Sequence, residues 1–277
     1  MFHRFAAAVC LALVASTPAA VAAECGHDAG GFHAWLGRFE GKAAAQGISQ
    51  RTLQSALGHA AYDASVIRLD RSQRSFKLSF EQFYARRVSS SLIHNGQQML
   101  QRHRDLFERI EKRFGVPAPV LVAIWGLETN FGRDRGQNRS IVGSLATLAY
   151  DCRRPEFFEK ELISALRIVD RGDMTASQLR GGWAGEIGPM QFLPSSYFKY
   201  AVDFDGDGRR DLIHSVPDML ASTANYLKGY GWQPKQGWGP GSPNYAVLRE
   251  WNKAEVYVKT ISVLATTMSR GFSRPGS

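Results

Sequence analysis

Residues 116–132 read VPAPVLVAIWGLETNFG, and this stretch predicts the central helix of the protein. It carries no charge from Val116 to Leu127 and then presents a single acid, Glu128. Prolines such as those at positions 117 and 119 are well tolerated in the first turn of a helix. An apolar run of this length predicts a helix that is buried in the core and leads directly to Glu128.

Glu128 is the first candidate for chemistry. Its neighbours in the sequence include Ile124, Trp125, Leu127 and Phe131. Burial among such residues disfavours the charged form of a carboxyl group and raises its pKa. A carboxylic acid that stays protonated near neutral pH can donate its proton to a leaving oxygen. The alternative is a glutamate that faces water at the end of a helix.

The rest of the chain reads as mostly helical. Its 277 residues are 44% hydrophobic and 21% charged, which is ordinary for a globular protein. One long apolar pattern ends at Gly115, a natural helix stop. The residues at helical spacing are Phe32, Trp35, Leu36 and Phe39, then Phe76, Phe80, Phe83 and Tyr84, then Met99, Leu100, Leu106, Phe107, Ile110 and Phe114.

Three further helices follow in the second half of the chain. They are predicted within residues 155–172, 215–227 and 252–268. Ser215, with Asp218 three residues later, is a helix-start signature. Asn252 stands in the same relation to Glu255, so a capping role is one interpretation of this asparagine.

The first 23 residues have the features of a signal peptide. Arg4 supplies a positive charge, residues 5–15 are apolar, and small residues precede a cut after Ala23. The alternative is a membrane anchor, but the apolar stretch is shorter than the roughly 20 residues that a membrane-spanning helix needs. We therefore expect an exported protein with no stable membrane anchor.

Removal of this segment takes away Cys10 and leaves Cys25 and Cys152. Two cysteines in an oxidising compartment suggest a disulfide bridge. This bridge would tie the new N-terminus to the middle of the chain. The alternative is a pair of free thiols.

The formal net charge is +9, from 34 lysines and arginines against 25 aspartates and glutamates. A basic exported protein suits an anionic partner such as a cell-wall polymer, a membrane surface or a nucleic acid. The basic residues are scattered rather than gathered in a stripe with interleaved aromatic residues. Nucleic acid is therefore not expected as a partner.

The stretch GGWAGEIGPMQFLPSS at residues 181–196 has the composition of a polymer-binding groove. Its four glycines leave backbone groups open to close approach. Gln191 offers a side-chain amide between two apolar residues, and aromatic faces can stack on sugar rings. The alternative is a tight structural turn.

The stretch DFDGDGRRDLIH at residues 203–214 resembles an EF-hand calcium loop, although His214 stands where a bidentate glutamate belongs. Two alternatives follow from this departure. The loop binds calcium weakly with water completing the shell, or Asx turns hold it without a metal. The candidate ligands are the side chains of Asp203, Asp205, Asp207 and Asp211 and the backbone carbonyl of Arg209.

In this order, these stretches resemble the lytic murein transglycosylase B family, in its exported soluble form. The resemblance runs from about Phe32 to Met268 and is densest in residues 123–136, 144–154, 157–168 and 183–227. It implies a mainly α fold, with a lysozyme-like helical catalytic domain of α+β type. The expected organisation is a signal peptide at 1–23, an N-terminal helical region at 24–114, the transglycosylase domain with its EF-hand-like loop at 115–270, and a disordered tail at 271–277.

The resemblance also implies roles for single residues. Glu128 matches the catalytic glutamate of the family, and the acidic loop matches its calcium site. The residues that match the sugar-binding cleft are Gly182, Gln191, Tyr226, Trp251, Asn252 and Tyr257. Two positions depart from the family pattern, because Gly182 stands where serine is usual and Glu186 where alanine is usual. From the residues alone, Tyr226, Trp251 and Tyr257 would more often be core.

The activity that the resemblance implies is cleavage of peptidoglycan strands without water. Glu128 would protonate the oxygen between N-acetylmuramic acid and N-acetylglucosamine, and would then take a proton from the muramic 6-hydroxyl, which closes a 1,6-anhydro ring. The substrate's own N-acetyl group would stabilise the sugar cation. No cofactor is expected for this chemistry, and Ca²⁺ is a candidate structural ion only.

Two alternatives to this activity stay open. One is a peptidoglycan hydrolase on the same fold, in which Glu186 or another acid activates water. The other is a scaffold protein that binds peptidoglycan and has lost turnover through Gly182. In each case we expect a periplasmic monomer whose partners are glycan strands, with cell-wall synthesis or divisome proteins as further candidates.

Overall fold

The computed structural model describes residues 25–73, 78–134 and 138–270. The predicted signal peptide, Phe76 and the predicted tail at 271–277 lie outside these residues. The described part is mainly helical, as the sequence predicts. Its elements, in chain order, are α1 (Phe32–Ala45), α2 (Gln50–Leu57), α3 (Ala64–Ser72), α4 (Phe80–Arg87), α5 (Ser90–Arg102), α6 (Arg104–Phe114), α7 (Ala118–Thr129), β1 (Arg139–Ser140), α8 (Ile141–Tyr150), α9 (Pro155–Asp170), β2 (Arg180–Gly181), α10 (Pro194–Tyr200), α11 (Val216–Gly229), α12 (Pro243–Trp251) and α13 (Glu255–Ser269).

Helix α7 lies at the centre of the molecule. It packs against α5, α6, α11 and α13, and every residue in it except Glu128 is buried. Pro117 caps its start, and the left-handed backbone of Asn130 (φ 48°) ends it. The apolar run therefore forms a buried helix, and its last turn brings one carboxylate to the edge of the core.

The N-terminal helices cover this core on two sides. Helices α1, α2 and α3 pack on α8 and α9, whereas α4 and α5 pack on α13. A disulfide joins Cys25 to Cys152 and ties the start of the described chain to the end of α8. Near it, the buried carboxylate of Asp70 pairs with Arg71, Arg153 and Arg154, so α3 is bound to the α8–α9 connection by charge as well.

The apolar pattern that ends at Gly115 is divided between two helices. The chain turns at His103, between α5 and α6, and the His103 ring packs against Phe107 and Trp125. The turn lets α5 lie on α7 while α6 lies on α11. The predicted end is confirmed, because Gly115 caps α6 in the left-handed conformation (φ 75°).

The only strands in the described residues are two short segments. β1 pairs with β2 in antiparallel fashion, and single bridges extend the pairing from Gly181 to Ile187 and from Ile187 to Phe192. The glycine-rich stretch thus folds as a compact β-turn region beside α8 rather than as an open loop. No helix in the described part of the chain is long and apolar enough to cross a membrane.

Candidate active site

Glu128 occupies the last turn of α7 and accepts two hydrogen bonds on one oxygen. The indole nitrogen of Trp251 donates to Oε1 over 3.0 Å, and the hydroxyl of Tyr257 donates to the same atom over 2.8 Å. Among the described residues, no hydrogen bond reaches Oε2. A proton on Glu128 is therefore expected on Oε2, because Oε1 already faces two donors.

The surroundings of Glu128 raise the pKa of its carboxyl group. Burial is the largest cause, since it disfavours the charged form. The hydrogen bonds from Trp251 and Tyr257 and the positive charge of Arg87 oppose this effect, and the negative charge of Glu186 adds to it. Burial therefore favours the protonated form of Glu128, whereas the two donors and Arg87 favour the carboxylate.

Thr129 fixes this end of α7 against the glycine-rich region. Its hydroxyl donates to the carbonyl of Pro189 over 2.7 Å and accepts from the backbone N–H of Gly132 over 3.1 Å. Gln191 sits two residues after Pro189 in a left-handed conformation (φ 55°). Its side-chain amide donates to the carbonyl of Gly188 over 2.9 Å.

Two cavities meet at Thr129 and Gln191. The first, of about 520 Å³, contains Glu128 and is rimmed by Arg86, Arg87 and Arg133; we call it the arginine cavity. The second, of about 480 Å³, is lined by Trp125 and the glycine-rich region. Together the two cavities form a groove, and Glu128, the only ionisable residue of α7, lies in its wall.

Two aromatic rings pack against the ring of Trp251. The Trp251 ring meets Phe192 and Tyr226 edge to face, with ring centres 5.5 Å and 5.1 Å apart. Tyr226 is 8% exposed, and its hydroxyl donates to the carbonyl of Glu250 over 2.7 Å. Tyr226 thus packs against Trp251, and its hydroxyl is already bonded to the backbone.

Asn252 and Gly182 are two further residues that the resemblance assigns to the sugar-binding cleft. Asn252 ends α12, and its side-chain oxygen accepts from the backbone N–H of Ala254 over 2.9 Å. It is therefore not the N-cap of α13, which starts later than the sequence pattern, at Glu255. Gly182 lies in the turn after β2, where its N–H donates to the carbonyl of Glu186 over 2.9 Å.

The carboxylates of the acidic loop bond mostly to backbone N–H groups. Asp203 accepts from Gly206 and Gly208, and Asp207 accepts from the backbone N–H of Arg209. These are Asx-type turns, which hold a loop without a metal. Asp211, at the end of the loop, accepts from the backbone and from the ring of His214.

Asp218 also belongs to this acidic site, although the sequence analysis did not place it there. Carboxylate oxygens of Asp203, Asp205 and Asp218 lie within 4.8 Å of one another. Asp218 is fully buried and accepts from the backbone N–H groups of Phe204 and Asp211 over 2.7 Å and 2.9 Å. Its spacing from Ser215 predicted only a helix start, and nothing in that signature points to the loop.

Comparisons with known proteins agree with the fold. The profile of the family described as "Transglycosylase SLT domain" matches residues 31–242. The membrane-bound lytic murein transglycosylase B of Escherichia coli K12 is 38% identical over 165 residues, which cover 57% of this chain and 45% of that protein. The match thus spans less than half the length of that relative.

Solved structures show the same likeness in three dimensions. SltB3 of Pseudomonas aeruginosa, in complex with NAG-anhNAM-pentapeptide, has a TM-score of 0.81 and 31% identity, covering 89% of this chain and 81% of its own. The Escherichia coli lytic transglycosylase Slt35, in complex with calcium, has a TM-score of 0.75 and 26% identity, covering 85% and 92%. The chain belongs to the transglycosylase SLT domain family.

Proposed function

We propose that the protein is a lytic transglycosylase that cleaves the bond between N-acetylmuramic acid and N-acetylglucosamine in peptidoglycan and leaves a 1,6-anhydro end. The observation that carries this proposal is Glu128, a carboxyl group whose pKa is raised by burial, at the wall of a groove in a chain of this family. The names of its relatives, which are murein transglycosylases, support the same substrate class.

In the first step, the proton on Oε2 of Glu128 passes to the glycosidic oxygen, and the bond to the anomeric carbon breaks. The N-acetyl oxygen of the substrate stabilises the sugar cation, as in other substrate-assisted glycosidases. The new carboxylate keeps both donors, Trp251 and Tyr257, on Oε1. These donors stabilise the charge at the moment it forms, without rearrangement.

In the second step, the carboxylate of Glu128 takes the proton of the muramic 6-hydroxyl. The hydroxyl oxygen bonds to the anomeric carbon and closes the anhydro ring. One group serves as acid and then as base, so its pKa must lie near the working pH. Burial raises the pKa of Glu128 above its ordinary value, and the two donors and Arg87 oppose this rise.

The groove suits a glycan that carries anionic peptides. Gln191 and the bare backbone of residues 181–188 offer polar contacts beside Trp251. The rim arginines of the arginine cavity, Arg86, Arg87 and Arg133, form no ion pair with any described acid, so carboxylates of a stem peptide would meet positive charge there. One relative, SltB3, was solved with a pentapeptide-bearing fragment.

We also propose that the acidic loop holds a structural Ca²⁺. The three converging carboxylates of Asp203, Asp205 and Asp218 are the hard oxygen ligands that calcium prefers. The charge of Asp205 helps to raise the pKa of Asp218, a repulsion that a divalent cation would relieve. Asp207, Asp211 and the carbonyl of Arg209 are the remaining loop ligands. Addition of Ca²⁺ to chelator-treated protein should raise Tm, and an unchanged Tm would contradict the proposal.

A periplasmic location rests on two observations. The N-terminal segment has the pattern of a signal peptide, and the Cys25–Cys152 disulfide is of a kind that persists in oxidising compartments. Cell fractionation with antibody detection tests this location. Recovery of the protein from the cytosolic fraction, with both thiols free, would contradict it.

The test of the activity is product analysis. Purified sacculi are digested with the mature protein and, in parallel, with Glu128→Gln. Muropeptides lighter than hydrolytic products by one water, and absent with Glu128→Gln, are expected. Ordinary reducing ends would establish a hydrolase, and firm sedimentation with sacculi without any soluble product would establish a binding protein.

A further inference from the structure

A third cavity opens beside the groove, between α2 and α3 on one side and β1, β2 and α8 on the other. Its volume is about 820 Å³. It shares two lining residues, Asn138 and Arg180, with the second cavity, which in turn shares Thr129 and Gln191 with the arginine cavity. The three cavities therefore form a row, with the second cavity in the middle and Glu128 in the first.

Arg180 stands at the junction of the second and third cavities, and its guanidinium is held in place. The residue lies on β2, opposite Ser140 of β1. Its Nε donates to Oδ1 of Asn138 over 3.0 Å, and its Nη2 donates to the backbone carbonyl of the same residue over 2.5 Å. No acid among the described residues forms an ion pair with it. The guanidinium thus keeps its full charge and has further N–H donors for a ligand.

The third cavity carries an excess of positive charge. Its charged lining, within the described parts of the chain, consists of three arginines and one aspartate. That aspartate, Asp63, is already paired, because Nη1 of Arg139 donates to its Oδ2 over 2.8 Å. Arg68 is exposed on α3 and has no described acid as an ion-pair partner. The charges of Arg68 and Arg180 therefore favour an anion in this cavity.

The rest of the lining suits a peptide better than a sugar ring. Serines supply most of the uncharged polar side chains, and Tyr62 is the only tyrosine, phenylalanine or tryptophan in the described lining. The Tyr62 ring packs edge to face on Phe32 and Tyr150, and its hydroxyl donates to the carbonyl of His27. The cavity thus offers a sugar little to stack on, whereas a planar guanidinium matches the geometry of a carboxylate.

We propose that the third cavity binds a stem peptide of the substrate, and that Arg180, assisted by Arg68, binds a carboxylate of that peptide. This inference rests on the proposed function, in which the glycan strand lies in the groove. A muramic acid in the second cavity would direct its peptide past the junction at Arg180. The arginine cavity and the third cavity are the two ends of the row, so both ends would bind anionic peptide groups.

The test is a binding measurement on Glu128→Gln protein, so that strands stay intact. Soluble glycan strands that carry stem peptides are compared with strands from which an amidase has removed the peptides. Addition of Arg180→Gln should raise the Kd of the peptide-bearing strands by about tenfold, because one charge-assisted hydrogen bond is lost. The Kd of the bare strands should not change. With Glu128 intact, Arg180→Gln should raise KM for peptide-bearing strands and leave kcat unchanged.

Three matched variants separate charge recognition from damage to the ribbon of β1 and β2. Arg180→Lys keeps the charge without the planar guanidinium, so its Kd should lie between the other two values. Arg68→Gln removes an exposed charge and should raise the Kd of peptide-bearing strands by roughly threefold. Arg51→Gln, which removes an exposed charge from α2 outside the three cavities, should leave both Kd values unchanged.

Two results would overturn the inference and leave the proposed function intact. One is an Arg180→Gln protein with the original Kd for peptide-bearing strands. The other is an equal loss of affinity for both kinds of strand, which would show that Arg180 contacts the glycan or supports the fold. The proposed function is judged separately, from the products formed when Glu128 is intact. Ordinary reducing ends would contradict that function and leave the comparison of Kd values as it stands.

Discussion

The Glu128 site and the acidic loop both contain buried carboxylates with raised pKa values, yet they are built for different tasks. Glu128 receives both of its donors on Oε1 and leaves Oε2 open to the groove. Asp218 receives backbone N–H groups on both oxygens and is fully buried. An acid needs one oxygen free to exchange a proton, whereas both oxygens of Asp218 hold backbone groups of the loop in place.

The largest effect is expected for Glu128→Gln. The amide fits the same space but cannot give or take a proton, so cleavage should fall by roughly 10²–10⁴-fold or more. Tm should change little, because the buried environment tolerates a neutral group. Rates are measured from muropeptide release. A variant that retains a substantial fraction of wild-type activity would remove Glu128 from its role.

Asp218→Ala tests the other half of the comparison. Backbone N–H groups of Phe204 and Asp211 lose their acceptor, which should cost roughly 3 kcal/mol in the free energy of unfolding. The expected stabilisation by Ca²⁺ should also be lost. Denaturant unfolding with and without Ca²⁺ measures both effects. A variant as stable as the wild type would show that the loop does not depend on this carboxylate.

Tyr257→Phe tests the effect of one of the two hydrogen-bond donors to Glu128. Loss of the hydroxyl removes a bond that favours the carboxylate, so the pKa of Glu128 should rise and the alkaline limb should move to higher pH. We expect kcat to fall by about tenfold, the equivalent of one hydrogen bond to a charged group. An alkaline limb that stays in place or moves to lower pH would contradict this role of the hydroxyl.

The smallest effect is expected for Thr129→Val. The valine is nearly isosteric but cannot donate to Pro189, so about 1 kcal/mol should be lost and the turn should move more freely against α7. Thr129→Ser, which keeps the hydroxyl, is the matched control. Activity and Tm of the two variants are compared. If valine and serine behave alike, the hydrogen bond has no part in positioning the turn.

The buried helix and its terminal acid could be predicted from the sequence, because both depend on a contiguous apolar run. The helical fold class followed from periodicity and from the family resemblance. The partners of Glu128 could not be derived from spacing, since Trp251 and Tyr257 lie more than 120 residues away along the chain. Only the resemblance placed them in the cleft.

Other features were beyond sequence reasoning for similar reasons. The turn at His103 interrupts an apolar pattern that is continuous in the sequence, because tertiary packing on α7 and α11 decides where the chain bends. The role of Asp218 was hidden by a local helix-start signature. The side chain of Glu186 fills the space over Gly182 because the turn folds back on itself. This contact between the two positions that depart from the family pattern could not be predicted from the sequence.

The most direct test of Glu128 as the proton donor is a measurement of its protonation state in the resting protein. Glutamate side-chain carboxyl carbons are labelled with ¹³C, and the NMR signal that is missing in Glu128→Gln is followed through a pH titration. We expect this signal to titrate above the ordinary glutamate pKa of about 4.3, because burial disfavours the charged form. A titration at or below that value would show that Glu128 is ionised at rest, and would contradict its role as the acid.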